Sequence, residues 1–421
     1  MNDSVDARTP GEWRLGWRTL LGAAIGYSAA LCHVYALGLF IAPLEAEFGW
    51  NRAEISSGLT IFSVVVLFVA PFVGTLLDRY GARRVALPGL LFYLTAFAAL
   101  SVTGSAVWQW WALWVMLGIA GACVQAAVWT KAVVALFDRS RGLALAITLC
   151  GGGLSSAFSP SLAQFFIAEL GWRLALVAVP ATFAVISLPI LVFFFKDGER
   201  EVSGGNATRS GAGSTWRDSG VRADILGSRF LRLAFLSLAV MIATTAVLVH
   251  FVPILIAKGL SAQTAAALAG IIGIGSIAGR LVGGFMLDRF SGPFVGAVVF
   301  GCAAVATALL LLIEVNYVSG FVIALVFGLA LGGEVDVIAY LTTRYYRLQN
   351  FGVLFSVLAS LQILATGIGP LVAGLAFDRF GNYDTLLLVL LPIYALSILI
   401  VATLGAYKRP TAAITSHRGA G

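Results

Sequence analysis

Apolar residues fill this chain in long blocks, each closed by a short polar or glycine-bearing segment. A helix needs about 20 such residues to cross the hydrocarbon of a bilayer. The punctuation divides the chain into twelve predicted spans. The first six are 17–43, 56–77, 85–103, 108–136, 143–167 and 172–195, and the second six are 230–256, 264–287, 294–313, 319–341, 353–377 and 383–407. Helix is the expected state for all twelve, because a lipid-exposed backbone must satisfy its own hydrogen bonds. Residues 196–229 break the pattern: they are rich in Gly, Ser and charge and read as a flexible linker between an N-terminal six-helix half (17–195) and a C-terminal one (230–407). Polar tails, 1–16 and 408–421, flank the two halves. The fold class predicted is all-α and polytopic.

Composition agrees. Of 421 residues 60% are hydrophobic and 11% charged, less than half the roughly 25% charged share of a soluble domain. The first fifteen residues are polar and lead into an apolar segment with no cleavage pattern. The basic balance does not point to nucleic acid, since the cations sit in short loops without interleaved aromatics. Cys32, Cys123, Cys150 and Cys302 are isolated in apolar segments, so neither a disulfide framework nor a metal site is expected. No phosphate-binding G-xxxx-GK-[ST] loop is present, no nucleophile–base constellation is visible, and no cofactor is implied.

Charge sets the orientation. With both chain ends placed in the cytoplasm, 21 of the 27 Lys and Arg fall on that side. Four (Arg52, Arg173, Lys258 and Arg379) fall outside, and Lys131 and Arg280 lie within spans. That asymmetry predicts cytoplasmic termini and a cytoplasmic linker. The glycosylation sequon at Asn206 is discounted for that reason.

The chain also matches itself at a shift of 210 residues. Gly74 pairs with Gly284, Asp78 with Asp288, Arg79 with Arg289, Gly142 with Gly352, Pro160 with Pro370 and Gly171 with Gly381. Gly and Pro set backbone geometry, so a fixed shift across them indicates two halves built to one plan. Parallel halves of this size in a lipid-soluble chain point to a carrier with its site at their interface.

Between spans 2 and 3 the chain reads Gly74-Thr-Leu-Leu-Asp78-Arg79-Tyr-Gly81-Ala-Arg83-Arg84, and the second half repeats the start as Gly284-Phe-Met-Leu-Asp288-Arg289. This resembles the G-xxx-D-[RK]-x-G-x-[RK]-[RK] signature of the major facilitator superfamily. The resemblance implies twelve helices in two pseudo-symmetric halves, with these residues acting as a gate or an anchor. Gly74 is expected to let two helices approach closely. A narrower resemblance is to the monocarboxylate-porter group and its bacterial oxalate–formate antiporter-like relatives. It rests on Phe137-Asp-Arg-Ser-Arg141-Gly142 before span 5, the lone Arg280 in span 8, and Gly332-Gly-Glu334-Val-Asp336 in span 10. It implies that Arg280 engages a substrate carboxylate. Many animal relatives carry Asp one turn before that arginine, where this chain has Ser276.

The ionisable residues embedded in spans break the internal symmetry: Arg280 pairs with Ala70, Lys131 with Leu341, Glu334 with Val124, Asp336 with Ala126, His33 with Ala243 and His250 with Phe40. Each costs about 2.5 kcal/mol or more at mid-membrane and is a functional candidate by default. Arg280 offers a planar fork for a carboxylate. Glu334 and Asp336, two apart, face roughly opposite sides of a helix and are candidates for a proton site, or for neutralising Lys131 or Arg280. Lys131 either snorkels or faces the cavity. His33 and His250 are either satisfied buried histidines or ligand contacts. The leading expectation is a secondary transporter, symporter or antiporter, for a small organic anion, with a monocarboxylate first. It would sit in a bacterial inner membrane, with one copy sufficient. Efflux of a hydrophobic or cationic compound is the alternative, and a receptor or channel is the reading from another class.

Overall fold

The computed structural model describes residues 11–137, 140–197 and 219–405. The outer parts of both predicted tails, linker residues 198–218 and Asn206 lie outside the described residues. Those described are helical or short connections, with no strand among them. In order the helices are α1 (Glu12–Ala30), α2 (Cys32–Phe48), α3 (Arg52–Tyr80), α4 (Ala82–Ala99), α5 (Val107–Ala122), α6 (Ala126–Val134), α7 (Arg141–Phe194), α8 (Ser219–Leu226), α9 (Ser228–Ala257), α10 (Ala262–Arg289), α11 (Gly292–Leu312), α12 (Tyr317–Tyr345), α13 (Leu348–Phe380) and α14 (Asp384–Ala402).

The α1–α2 pair forms the first crossing and the α5–α6 pair the fourth. Helix α7 carries the fifth and sixth, because Gly171 (φ 77°, ψ 163°) turns the chain back on itself. Twelve crossings return the end of α14 to the face on which α1 began. That face is called the terminal face below, and the other the far face. The expected linker is not uniformly irregular: residues 219–226 form α8, and Asn350 Nδ2 at the start of α13 donates to Asp224 Oδ2 (2.8 Å), fixing α8 to the second half.

Two predicted spans are broken where no proline announces it. The first crossing steps at Leu31, the junction of α1 and α2. The fourth unwinds over residues 123–125. Freed carbonyls at membrane depth need donors. Gln125 Nε2 serves Gly121 O (3.1 Å), and Trp129 Nε1 serves Val124 O (2.9 Å). Trp129 fits only because Gly26 on α1 has no side chain; a Cβ there would strike its ring.

The second half is seamed by small residues. Gly275 and Gly279 on α10 lie directly on the backbone of α12 at Leu325, Gly328 and Leu329, and Gly332 on α12 lies on Ser276 and Arg280. Glycines four apart remove the side chains that would hold two helices apart. This seam fixes the rotation of α12 against α10 and so decides which of its acidic residues meets Arg280.

Candidate functional site

Gly332 faces α10, and Asp336, one turn further along, lies on the same face of α12. Arg280 Nη1 donates to Asp336 Oδ1 at 3.0 Å. The side chains retain 14% and 27% of their exposure, so the pair is partly open. Tyr27 and Tyr35 on the first crossing and Cys150 on α7 lie within electrostatic reach of Arg280. The pair therefore stands where the two halves converge. A planar guanidinium with one carboxylate already on it can exchange that partner for another carboxylate.

Glu334, two residues before Asp336, is turned away. It is buried, and Thr244 Oγ1 of α9 donates to its Oε1 at 2.6 Å, with Tyr394 of α14 3.3 Å from the same hydroxyl. Glu334 Oε2 and Ser237 Oγ are buried without a hydrogen-bond partner. Both residues line a cavity of about 10 Å³ among α9, α11, α12 and α13, close to the smallest space that holds a water. The two acidic residues thus occupy separate sites.

The remaining candidates are held elsewhere. His33 is buried among Tyr93, Phe62 and Trp114 of the first half, its Nδ1 2.6 Å from Tyr93 Oη. Lys131 Nζ donates to Leu77 O (3.0 Å) and Asp78 Oδ1 (2.6 Å), bracing the end of α3. His250 lies toward the far face, with Nδ1 2.8 Å from Tyr383 Oη and Nε2 3.1 Å from both Pro370 O and Ser56 Oγ. Arg52 Nη1 donates to Tyr383 Oη at 2.8 Å. A carbonyl can only accept, so Nε2 carries the proton and Nδ1 accepts from Tyr383. None of the three is hydrogen-bonded to the Arg280–Asp336 pair; each ties helices to one another.

That far-face chain belongs to a larger clamp, which the sequence reading missed. Asp378 at the end of α13 accepts from Arg52 N (3.0 Å) and Ala53 N (2.8 Å), capping the first turn of α3 across the two halves. The Arg52 guanidinium lies 3.5 Å over the Phe377 ring and bonds Glu45 (3.2 Å). Thr60 donates to Gly367 O at 2.8 Å. A signal existed: Gly374-Leu-Ala-Phe-Asp378-Arg379-Phe-Gly381 is a third copy of the gate signature, 90 residues after Gly284, Asp288 and Arg289.

At the terminal face the corresponding residues are apart. A Cβ added at Gly74, Gly142, Gly284 or Gly352 would meet nothing within 4 Å. The close approach expected at Gly74 is therefore absent here. Asp288 is exposed, and Arg289 lies over Phe285 of its own helix at 3.9 Å. Asp78 is bound by Lys131, and Arg79 sits over the adjacent Tyr80 ring. Arg83 donates to Val192 O (2.7 Å), and Asp197 presses on Gly81, whose φ is 84°. The halves are joined toward the far face and parted at the terminal face.

The profile of the Major Facilitator Superfamily matches residues 23–362. The chain belongs to this superfamily. It is 24% identical to the uncharacterized MFS-type transporter YcxA of Bacillus subtilis, over 87% of this chain and 92% of that one. It is 25% identical to the MFS transporter asaE of Aspergillus flavus (90% and 84%). Monocarboxylate transporter 13 of Bos taurus is 26% identical over 67% of this chain and 63% of its own length. Among solved structures the nucleoside transporter NupG superposes with a TM-score of 0.72 over 92% of this chain and 100% of that one, at 12% identity. The fold is thus that of a multi-pass major facilitator transporter.

Proposed function

We propose that this transporter moves a small organic anion, with a monocarboxylate as the first class to test, by alternating access. The observation that carries the reading is the Arg280–Asp336 pair, part-exposed at the meeting of the two halves. A resting carboxylate on the arginine marks the place of the substrate's own. When a substrate carboxylate takes the guanidinium, Asp336 is released and can accept a proton, which keeps the site's charge constant through the cycle. Asp336 on α12 then stands in for the acidic residue that animal relatives carry one turn before the arginine, where this chain has Ser276. Glu334, with one oxygen unpartnered, is a separate proton-holding group within the second half. His33, His250 and Lys131 serve the scaffold and the gates in this reading. The excess of Lys and Arg at the terminal face makes that face cytoplasmic, so the parted end opens inward.

The test is uptake of labelled short carboxylates by proteoliposomes under an imposed proton gradient. Arg280→Ala is expected to abolish it at unchanged expression, since alanine offers no guanidinium to hold the substrate carboxylate. Asp336→Asn is expected to bind carboxylate more tightly, with its arginine unoccupied, while losing the response to pH. Carboxylate uptake undiminished in Arg280→Ala would overturn the assignment.

A further inference from the structure

The basic run that ends the gate signature also builds a cavity of its own. Between the terminal-face ends of α3, α4 and α7 lies a space of about 520 Å³ whose charged lining is Arg83, Arg84, Lys196 and Asp197. The single carboxylate is already engaged: Asp197 Oδ1 accepts from Arg83 N at 2.9 Å, closing the turn at Gly81. Arg83 is oriented by its bond to Val192 O. Arg84 and Lys196 are exposed, and neither has an acidic partner among the described residues. The lining is therefore cationic on balance and shaped for an anion.

The surroundings are not those of a water-soluble anion site. Leu87 and Pro88, one turn into α4, form the lower wall. Below them Leu91 and Phe92 on α4, and Val192 and Phe193 on α7, stand exposed, Phe193 at 71%. On helices that cross a bilayer, apolar side chains exposed this way face acyl chains. A cationic seat directly above an apolar track fits one amphiphile, with its charged group in the seat and its tails on the track.

We infer that this cavity binds the phosphate headgroup of an anionic phospholipid, with Arg84 and Lys196 as the cations that hold it and Arg83 as the positioned third. Basic pockets between membrane helices recognise such headgroups through charge, and each cation adds to the attraction. The site is separate from the Arg280 pair, so the inference stands whatever substrate the carrier moves.

Native mass spectrometry of the purified full chain tests this, with phosphatidylglycerol and phosphatidylcholine offered in equal amounts. Phosphatidylglycerol adducts are expected to survive collision energies that strip phosphatidylcholine. Arg84→Ala combined with Lys196→Ala should lower the bound fraction about tenfold or more. Arg84→Lys should retain it, as should Arg229→Ala, an exposed cation on the same face. A rise in melting temperature with phosphatidylglycerol, absent from the double variant, is the second readout. Equal retention of the two lipids, or equal loss in Arg229→Ala, would overturn the site and leave only diffuse interfacial charge. Displacement of the lipid by millimolar inorganic phosphate would overturn the lipid assignment in favour of a free-anion site.

Discussion

The two ends of α3 carry the same kinds of residue in opposite conditions. At the far face its first turn is capped by Asp378 from the other half, overlaid by Phe377 and tied through Arg52 to Tyr383 and His250. At the terminal face its last turn presents Asp78 and Arg79, and the nearest acid–base partner is Lys131 of its own half. Gly-xxx-Asp-Arg is therefore not a terminal-face device alone. The copy at the end of α13 shows what the element does when engaged: the glycine admits the opposing helix, and the carboxylate one turn further along caps its exposed N–H groups. In the first half the position 90 residues after Asp78 is Ala168, so α7 has no matching acid. Its seam with α10 closes by backbone contact instead, with Gly270 and Gly273 against Ala157 and Gly153 against Gly273.

The largest expected effect comes from overfilling the closed seam. A Cβ on Gly273 would strike the Ala157 backbone, so Gly273→Val should destabilise this conformer by about 3 kcal/mol and lower its melting temperature. Gly74→Val, meeting open space, should leave that temperature unchanged yet stop turnover when the terminal face must close. Equal effects in the two variants would break the comparison. Arg52→Ala should come next, because it removes a charged hydrogen bond and a ring contact together, a loss of about 2–3 kcal/mol. Electron-resonance distances between labels at Tyr80 and Gln349 would read it as closure of the terminal face, and Arg52→Lys should restore little, since lysine lacks the planar fork. Asp378→Asn should be smallest, about 1 kcal/mol, seen as a several-fold shift in the same distance populations. An unchanged distribution would reduce Asp378 to a passive cap.

Much of the fold was legible because lipid imposes a simple grammar. Apolar runs gave the crossings, and Gly171 and Gly381, both at positive φ, marked reversals. The steps at Leu31 and at residues 123–125 were not, because Gln125 and Trp129 repair them with side-chain bonds that no local pattern advertises. At the site, Arg280 stood out through its cost and its missing symmetry mate, and the family resemblance gave it a carboxylate partner. The choice between Glu334 and Asp336 depended on helix rotation, which is set by where Gly332 packs on α10, a long-range fact. His250 was left open between a satisfied buried histidine and a ligand contact, because sequence does not give depth along a crossing; its depth puts it in the clamp.

Cys150, half-buried and within electrostatic reach of the Arg280–Asp336 pair, gives the carrier a native reporter. A thiol-reactive dye entering from the parted face can modify that sulfur, and cargo seated on the guanidinium would shield it. Occupancy could then be followed by the labelling rate at Cys150, read by peptide mapping apart from half-buried Cys123 and Cys302.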